Sequence, residues 1–213
     1  MRNLEIAITV YNENIDWSNQ YNTSIYQKVD GLVSPYQLGN ITYLPNLGKD
    51  VYSHLYHIIT RYDTLSEFTL FTQANPFEHG EFTLEGITDS KFTGFNRRIG
   101  NWCGSVHLPY HGWKRLIHHD KWLKEFESGE LMPAKTTYGE YWDEYIQKPK
   151  PAPETMVWYF GVIFCAHRDV IRQNPKEYYE KLLSTLNTKN SEEIHYFERS
   201  VHYMLNCPST VSY

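Results

Sequence analysis

The sequence predicts a single α/β domain with a central mixed, mostly parallel sheet flanked by helices. The first sign is a β-branched apolar run over Leu4–Tyr11, which is typical of a strand buried on both faces. The second is Asp50–Tyr62, whose apolar residues recur at the spacing of a helix face. The third is a further apolar run at Met156–Ala166, which predicts one buried strand. Strand and helix patterns that alternate in this way indicate an α/β fold.

The remaining elements follow in chain order. A short helical segment is predicted around Trp17, and Pro35, Gly39 and Pro45 mark a passage rich in loops. Asp50 is expected to cap the first long helix or to lie in its first turn. The stretch 80–113 is rich in glycine and irregular. Further strands are predicted at Ser24–Val29 and Phe68–Gln73, and further helices at Lys114–Phe126, Gly139–Ile146 and about 168–173, 175–187 and 191–206.

Composition narrows the class of function. The 213 residues fit one domain, 1–213, and the formal net charge is −5. The longest basic cluster, Arg97-Arg98, is too small for a nucleic-acid surface, so no nucleic-acid polymer is expected as a partner. No apolar run reaches the roughly 18 residues of a membrane span, and no signal peptide is expected. Three dispersed cysteines suit a reducing compartment, which predicts a cytoplasmic protein.

Ligands of open α/β sheets bind beyond the carboxyl ends of the strands, which selects three loops here. These loops follow Leu4–Tyr11, Phe68–Gln73 and Met156–Ala166. In addition, Gly48 and Lys49 open a helix, and a helix start with free N–H groups favours an anion such as a diphosphate. A Gly-Lys pair before a helix is more often ordinary capping, so both interpretations stay open.

The loop after Phe68–Gln73 offers candidate metal ligands. Asn75, Glu78 and His79 supply an amide, a carboxylate and an imidazole, which suit manganese or magnesium. A divalent ion beside a diphosphate neutralises the charge that grows on the leaving group. From spacing alone, a polar surface turn is the favoured alternative.

The last predicted helix carries His195, Glu198 and His202 at positions i, i+3 and i+7, on one face. This face suits a metal ligand or a general base, and equally a solvated, hydrogen-bonded stripe. His54 and His57 also share a helix face, but their apolar neighbours predict partly buried packing residues.

Five segments together resemble a glycosyltransferase-like family, and in particular the N-terminal glycosyltransferase domain of a multidomain chlorovirus protein that acts on capsid glycans. The segments are ITVYNENIDW (8–17), YLPNLGKDVYSHLYHIITRYDTL (43–65), FTLFTQANPFEHG (68–80), YFGVIFCAHRDVIRQNPKEYYEKLL (159–183) and HYFERSVHYML (195–205). The resemblance implies a GT-A, Rossmann-like domain that transfers glucose or rhamnose from a UDP-sugar to a glycan acceptor with Mn²⁺ or Mg²⁺. It also implies further domains after this chain and a host-cell cytoplasmic location for a viral protein.

On the hypothesis of a UDP-sugar transferase, the candidate residues have the following expected roles, and the chain departs from the family pattern in one respect. The usual Asp-x-Asp metal motif is replaced by Gln73-Ala74-Asn75, with no carboxylate before Glu78. The expected cofactor-binding residues are Thr9, Val10, Tyr11, Glu13, Asn46, Gly48, Lys49, Asp50, Gln73, Asn75 and Arg97 or Arg98. The expected metal ligands are Asn75, Glu78, His79 and His202, and the expected catalytic residues are Glu78, His79 and Glu198. Trp142, Trp158 and Tyr159 are candidates for the acceptor sugar.

Two alternatives remain at the level of sequence. One is a metal-dependent hydrolase built from His195, Glu198, His202 and the 78–79 pair, which needs no nucleotide pocket. The other is a non-catalytic carbohydrate-binding module that uses surface tryptophans and tyrosines. Specific UDP binding discriminates the transferase from both.

Overall fold

The structure is a computed structural model that describes residues 3–79, 82–101, 124–147 and 155–205. Seven strands form one sheet, in the order β3-β4-β2-β1-β5-β9-β6, and β7 and β8 form a separate antiparallel pair. The strands are β1 (Leu4–Val10), β2 (Asn22–Val29), β3 (Tyr36–Leu38), β4 (Ile41–Pro45), β5 (Phe68–Gln73), β6 (Phe92–Gly94), β7 (Arg97–Asn101), β8 (Thr155–Tyr159) and β9 (Phe164–His167).

The direction of the strands confirms the predicted mixed, mostly parallel sheet. β1 is parallel to β2 and β5, and β2 is parallel to β4. β9 is antiparallel to both β5 and β6, so β6 has the direction of the parallel strands, and only β3 and β9 run the other way. The first strands wind from β1 through β2 to β4, and the chain then crosses to β5 on the other side of β1. The winding therefore reverses between β1 and β5.

Helices cover one face of this sheet. They are α1 (Lys49–Arg61), α2 (Tyr138–Tyr141, continued by a π-helical turn at Trp142–Ile146), α3 (Arg168–Ile171), α4 (Lys176–Thr185) and α5 (Glu192–Met204). Short 3₁₀ turns lie at Asp16–Ser18, Pro76–His79 and Phe160–Val162. As predicted, Asp50 lies in the first turn of α1, whereas Gly48 is the N-cap. No helix in the described parts is both long and apolar enough to cross a bilayer.

Alternation along the strands divides the core into two clusters. Ala7 of β1 and Phe71 of β5 join the cluster beneath α1, α4 and α5, while Ile6 and Ile8 join the cluster on the opposite face. Both sides of β1 are therefore buried, as the continuous apolar run predicts for an inner parallel strand. His54 and His57 are 1% and 0% exposed, which confirms them as packing residues. The Nδ1 atom of His57 lies 2.8 Å from the Tyr26 hydroxyl.

Two predictions about strands are wrong. The apolar run Met156–Ala166 is not one strand, because it divides at Phe160–Val162 into β8 and β9, which belong to different sheets. Gly161 and Val162 have φ of 78° and 55°, and two consecutive left-handed residues end an extended strand. The passage around Pro35, Gly39 and Pro45, expected to be loop-rich, contains β3 and β4.

Two further predicted segments lie partly outside the described residues. Residues 124–127 are helical, and the rest of the predicted helix Lys114–Phe126 lies outside the described residues. The stretch predicted as irregular, 80–113, holds β6 and β7 in its described part. The strands Phe68–Gln73 and Ser24–Val29 are confirmed, the second with two further residues at its start.

Gly94→Ala is expected to lower the free energy of unfolding by about 1–3 kcal/mol, the usual cost of overpacking a core. A Cβ atom at Gly94 would lie 2.2 Å from Tyr159 Cε1, and Tyr159 is only 6% exposed, so its ring has little room to move. Urea unfolding followed by circular dichroism measures the loss. Gly39→Asn is the control, because its Cβ would meet nothing within 4 Å and asparagine tolerates its φ of +63°. An equal loss in both variants would contradict the packing argument.

Candidate functional site

The winding reverses between β1 and β5, and ligands of open α/β sheets bind outside the carboxyl ends of the strands at such a reversal. We refer to this region as the crevice. Two loops meet there. The indole Nε1 of Trp17, which follows β1, donates to the carbonyl oxygen of Ala74 after β5, at 2.8 Å. Trp17 also packs edge-on against Phe77 and Phe82. The loop after β1 is therefore fixed to the loop after β5.

The loop after β1 brings Tyr11 and Glu13 to this edge, as predicted. The backbone N–H groups of Tyr11 and Asn12 donate to Glu13 Oε2 at 2.7 and 3.0 Å. Burial raises the pKa of Tyr11, and the negative charges of Asp50, Glu13 and Asp30 raise it further. Tyr11 is thus influenced by carboxylates from three separate segments, namely the loop after β1, the loop after β2 and the first turn of α1. The side chains of Thr9 and Val10 are 1% and 5% exposed, so they are part of the core beneath the edge.

A buried lysine that is not among the predicted site residues lies next to this group. Lys28 is 5% exposed, and its Nζ donates to the carbonyl oxygen of Leu47 at 2.7 Å and lies 4.6 Å from the centre of the Tyr52 ring. Burial lowers the pKa of Lys28 to about 7, against the opposing effect of Asp50. The alternation of residues along β2 could have indicated that Lys28 is buried, because Tyr26 and Lys28 lie on the same, buried face of the strand.

Asp50 is the acidic counterpart of Lys28. Burial raises the pKa of Asp50 to about 6, although Lys28 and Lys49 both oppose the rise. Within the described parts of the chain, Asp50 Oδ1 is buried and has no hydrogen-bond partner. A buried polar atom without a partner is costly in a native protein, and a bound ligand is one explanation for it.

The loop before α1 has an unusual backbone. Gly48 and Lys49 have φ of 60° and 46°, and the N–H of Gly48 donates to the carbonyl oxygen of Thr188 at 2.8 Å. A Cβ atom at Gly48 would lie 2.9 Å from Leu186 Cδ1, so the position requires glycine for both its φ and its space. Asn46 donates to Asp30 at 2.8 Å. The loop presents the start of α1, with its partial positive charge, at the strand ends.

On the other side of the crevice, the loop after β5 holds part of the predicted metal set. Asn75 Nδ2 donates to Glu78 Oε1 at 2.6 Å, and Gln73 Nε2 donates to the carbonyl oxygen of Asn75 at 3.0 Å. His79 ends the 3₁₀ turn Pro76–His79, and its side chain lies outside the described residues. Across the described ranges, no group of three or more His, Cys, Asp or Glu side chains converges as a metal site.

The face of α5 predicted from sequence is a buried ionic cluster. Glu198 Oε2 lies 2.9 Å from Arg199 Nη1 and 3.7 Å from His195 Nδ1, and Glu198 is 7% exposed. Burial alone would raise the pKa of Glu198, but Arg199 and His195 together lower it to about 2. The Glu198 carboxylate is therefore ionised and a weak base at neutral pH.

The register of β9 places this cluster beside the crevice. Phe164 pairs with Phe71, so the residues just before Phe164 lie next to the carboxyl end of β5. Gly161, in that segment, donates its N–H to Glu198 Oε1 at 3.4 Å. Burial lowers the pKa of His195, and among the smaller contributions is the positive charge of Lys49. The cluster on α5 therefore lies near both the loop before β9 and the start of α1.

His202 belongs to a neighbouring group. Its Nδ1 lies 3.1 Å from the Tyr159 hydroxyl, its ring packs against Phe92, and its Nε2 is buried without a hydrogen-bond partner in the described ranges. Burial lowers its pKa to about 4, and the charge of Arg97 on β7 lowers it further. Arg97 and Arg98 are exposed, as a residue that closes over a ligand must be.

Trp142 is 1% exposed in the core beneath α5, so the prediction that it contacts an acceptor sugar is wrong. Tyr159, at 6%, offers little ring surface either. Trp158 is half-buried, with the Arg199 guanidinium 5.6 Å from the centre of its ring. Helix periodicity places Trp142 on a face but does not say that α5 covers that face.

The chain belongs to a family of proteins of unknown function (DUF3431), whose model matches residues 6–211. No curated protein and no solved structure is significantly similar to this chain.

Proposed function

We propose that this member of the family is a glycosyltransferase that uses a UDP-sugar donor, bound at the carboxyl ends of β1, β4 and β5. The observation that carries the proposal is the position of the polar cluster. Tyr11 follows β1, Lys28 lies near the end of β2 and Asp50 lies in the first turn of α1, next to Lys49. The charge of Asp50 raises the pKa of Tyr11, and the charges of Lys28 and Lys49 oppose the rise in the pKa of Asp50, so these groups influence one another at the carboxyl ends of the strands. Such an edge accommodates a nucleotide, and a helix start accommodates its phosphates.

The two halves of the crevice would hold different parts of the donor. Tyr11, with Glu13 and Asp30 near it, is suited to the base and ribose, because it offers a ring face and neighbouring acceptors. Lys49 and the first N–H groups of α1 are suited to the diphosphate. Lys28 acts as a positioning residue, since its hydrogen bond to Leu47 holds the loop that leads into α1.

We place a divalent ion at the loop after β5, where two of the three expected ligands, Asn75 and Glu78, contact each other. Glu78 would supply a carboxylate oxygen, and Asn75 and His79 would complete the protein ligands. Mg²⁺-like ions are often held by one or two carboxylates together with substrate phosphates and water. When bound, the ion would neutralise charge on the departing diphosphate.

Glu198 is proposed to act by its charge. A carboxylate with a pKa of about 2 accepts a proton poorly at neutral pH, but it remains a fixed negative charge beside the crevice. Glycosyl transfer develops positive charge on the donor sugar, which such a carboxylate stabilises. Arg199 and His195 keep it ionised and oriented.

Titration calorimetry with UDP, GDP and CMP, each with and without Mn²⁺, tests the proposal. Binding of UDP alone, strengthened by the ion, is expected, and the resemblance to the glycosyltransferase family makes UDP-glucose and UDP-rhamnose the first donors to screen. Failure of all three nucleotides to bind would overturn the proposal. The hydrolase and carbohydrate-binding alternatives would then come first.

His79→Ala is expected to lower the rate of sugar transfer by about 100-fold or more, because the ion would lose a ligand. The rate at which the UDP-sugar is hydrolysed in the absence of acceptor is expected to fall by the same factor. The rate of UDP release from the UDP-sugar at several Mn²⁺ concentrations measures the effect. His167→Ala is the control, because His167 lies at the opposite end of β9 from the crevice. Undiminished UDP release in the His79 variant would remove His79 from the proposed mechanism.

A further inference from the structure

A second cleft lies at the other edge of the sheet, away from the candidate site. Its volume is about 430 Å³, within the range of small-molecule sites. Its walls are the first half of β2, the β3–β4 hairpin and the last turns of α1. Arg61, the last residue of α1, follows Asp50 by eleven positions, which corresponds to about 16 Å along the helix. A ligand in this cleft therefore leaves the crevice at the strand ends open.

The lining of the cleft is polar and varied. Most of the side chains that carry its chemistry are amides, hydroxyls and a guanidinium, namely Gln37, Asn40, Thr42, Tyr56, Thr60 and Arg61. Amide and hydroxyl groups both donate and accept hydrogen bonds, as the hydroxyl groups of a ligand also do. Tyr56 adds an aromatic ring, and rings of this type pack against apolar faces.

A buried carboxylate, Glu5, lies directly behind Ser24, a residue of the cleft wall. Glu5 is 8% exposed and accepts hydrogen bonds from the hydroxyls of Ser24 and Ser66, at 2.7 and 2.8 Å. Although burial opposes it, the charges of His57 and Arg61 and the two hydroxyl donors lower the pKa of Glu5. Because the Glu5 carboxylate accepts the hydrogen bond of Ser24 in the cleft wall, a negative charge lies close to the cleft and disfavours a strong anion there. The cleft therefore favours a neutral ligand that is rich in hydroxyl groups.

We propose that this cleft binds a neutral saccharide unit, such as part of a glycan chain, separately from the candidate site. Donor–acceptor side chains match the hydroxyls of a pyranose, and the tyrosine rings of the lining match its apolar face. The cleft would hold a glycan on the protein while another part of the chain occupies the crevice. Saccharide binding here requires neither nucleotide nor metal, so it stands or fails independently of the proposed transferase activity.

Saturation-transfer NMR with glucose, galactose, xylose, fucose and rhamnose, and with disaccharides of glucose and galactose, tests this proposal. At least one sugar is expected to bind equally with and without excess UDP. Arg61→Ala and Gln37→Ala, both at exposed positions, are each expected to weaken that binding about tenfold, the order lost with one hydrogen bond to a charged or amide group. Arg168→Ala, an exposed arginine at the start of α3, is the matched control and is expected to change nothing.

Each outcome of these experiments either supports or overturns the proposed saccharide site. The absence of binding by every sugar, or binding that both cleft variants retain, would overturn the proposal. Displacement of the sugar by excess UDP would also overturn it, because the sugar would then occupy the crevice. Displacement by inorganic phosphate would instead identify an anion site around Arg61. Circular dichroism spectra that match the wild type ensure that lost binding in a variant reports on the cleft and not on the fold.

Discussion

Glu198→Gln is expected to lower the free energy of unfolding at pH 7 by about 3–5 kcal/mol, the usual cost of leaving one member of a buried ion pair without its partner. The pair joins Glu198 to Arg199 at 2.9 Å, and the two residues are 7% and 4% exposed. Glutamine keeps the shape of the side chain but removes the negative charge that lies 2.9 Å from the guanidinium. Urea unfolding of the wild type and the variant measures the difference.

The pH dependence of this difference is a sharper test. The pKa of Glu198 is lowered from an ordinary 4.5 to about 2, so the carboxylate contributes stability above pH 4.5 and loses it as the pH falls towards 2. The shift corresponds to about 3 kcal/mol. The gap between wild type and variant is therefore expected to be constant from pH 5.5 to 8 and to narrow below pH 4.5. Glu180→Gln, which removes an exposed pair with Lys176, is the control and should cost less than about 0.5 kcal/mol.

Lys28→Met is expected to act in two opposite directions, raising the free energy of unfolding by about 1–3 kcal/mol at pH 7 while weakening UDP binding about tenfold. Burial of the ammonium group is costly, as its lowered pKa indicates, and methionine fills the same space without a charge. Asp50 is not left as a bare charge, because its own pKa is already raised to about 6 and it can take up a proton. The affinity for UDP falls because the loop at Leu47 loses its hydrogen bond to the Lys28 ammonium group.

The sign of the pH effect follows from the pKa of Lys28, which falls from 10.5 in the unfolded chain to about 7. Between these values the unfolded chain binds more protons, so the wild type gains stability as the pH rises from 7 to 10.5. The advantage of the variant is therefore expected to be greatest near pH 7 and to shrink towards pH 10. Unfolding free energies at several pH values, with calorimetry of UDP, measure both effects. Lys91→Met, at an exposed ion pair, is the control, and equal behaviour of the two variants would contradict the assignment.

The sequence predicts those helices and strands whose buried residues follow a regular pattern. β1 and β5 are continuous apolar or β-branched runs, and α1 has a regular apolar face, so all three are found where expected. β3 is exposed at all of its three residues and therefore carries no alternation to detect. β4 is short and ends at a proline, which normally marks a loop.

The site is predicted less completely, for two physical reasons. Lys28 is missed because a lysine is almost always exposed, and the partners that make its burial tolerable, Leu47 and Asp50 among them, are distant along the chain. Spacing on α5 does identify Glu198, but Arg199, which sets its pKa, is the adjacent residue and not a member of the predicted stripe. The kink at Gly161 is not predicted for a related reason, because one glycine within an apolar run does not by itself indicate a left-handed backbone conformation.

The antiparallel strand β9 has a consequence for synthesis on the ribosome. β5 is complete at Gln73, but β9, which pairs with it, begins only at Phe164, about 90 residues later. At a synthesis rate of roughly 5–20 residues per second, one edge of β5 waits about 5–20 s for its partner. During that time the apolar strand FTLFTQ offers unpaired N–H and C=O groups to other nascent chains. Yield of folded protein should therefore depend more on chaperone supply and expression temperature than the stability of the finished sheet suggests.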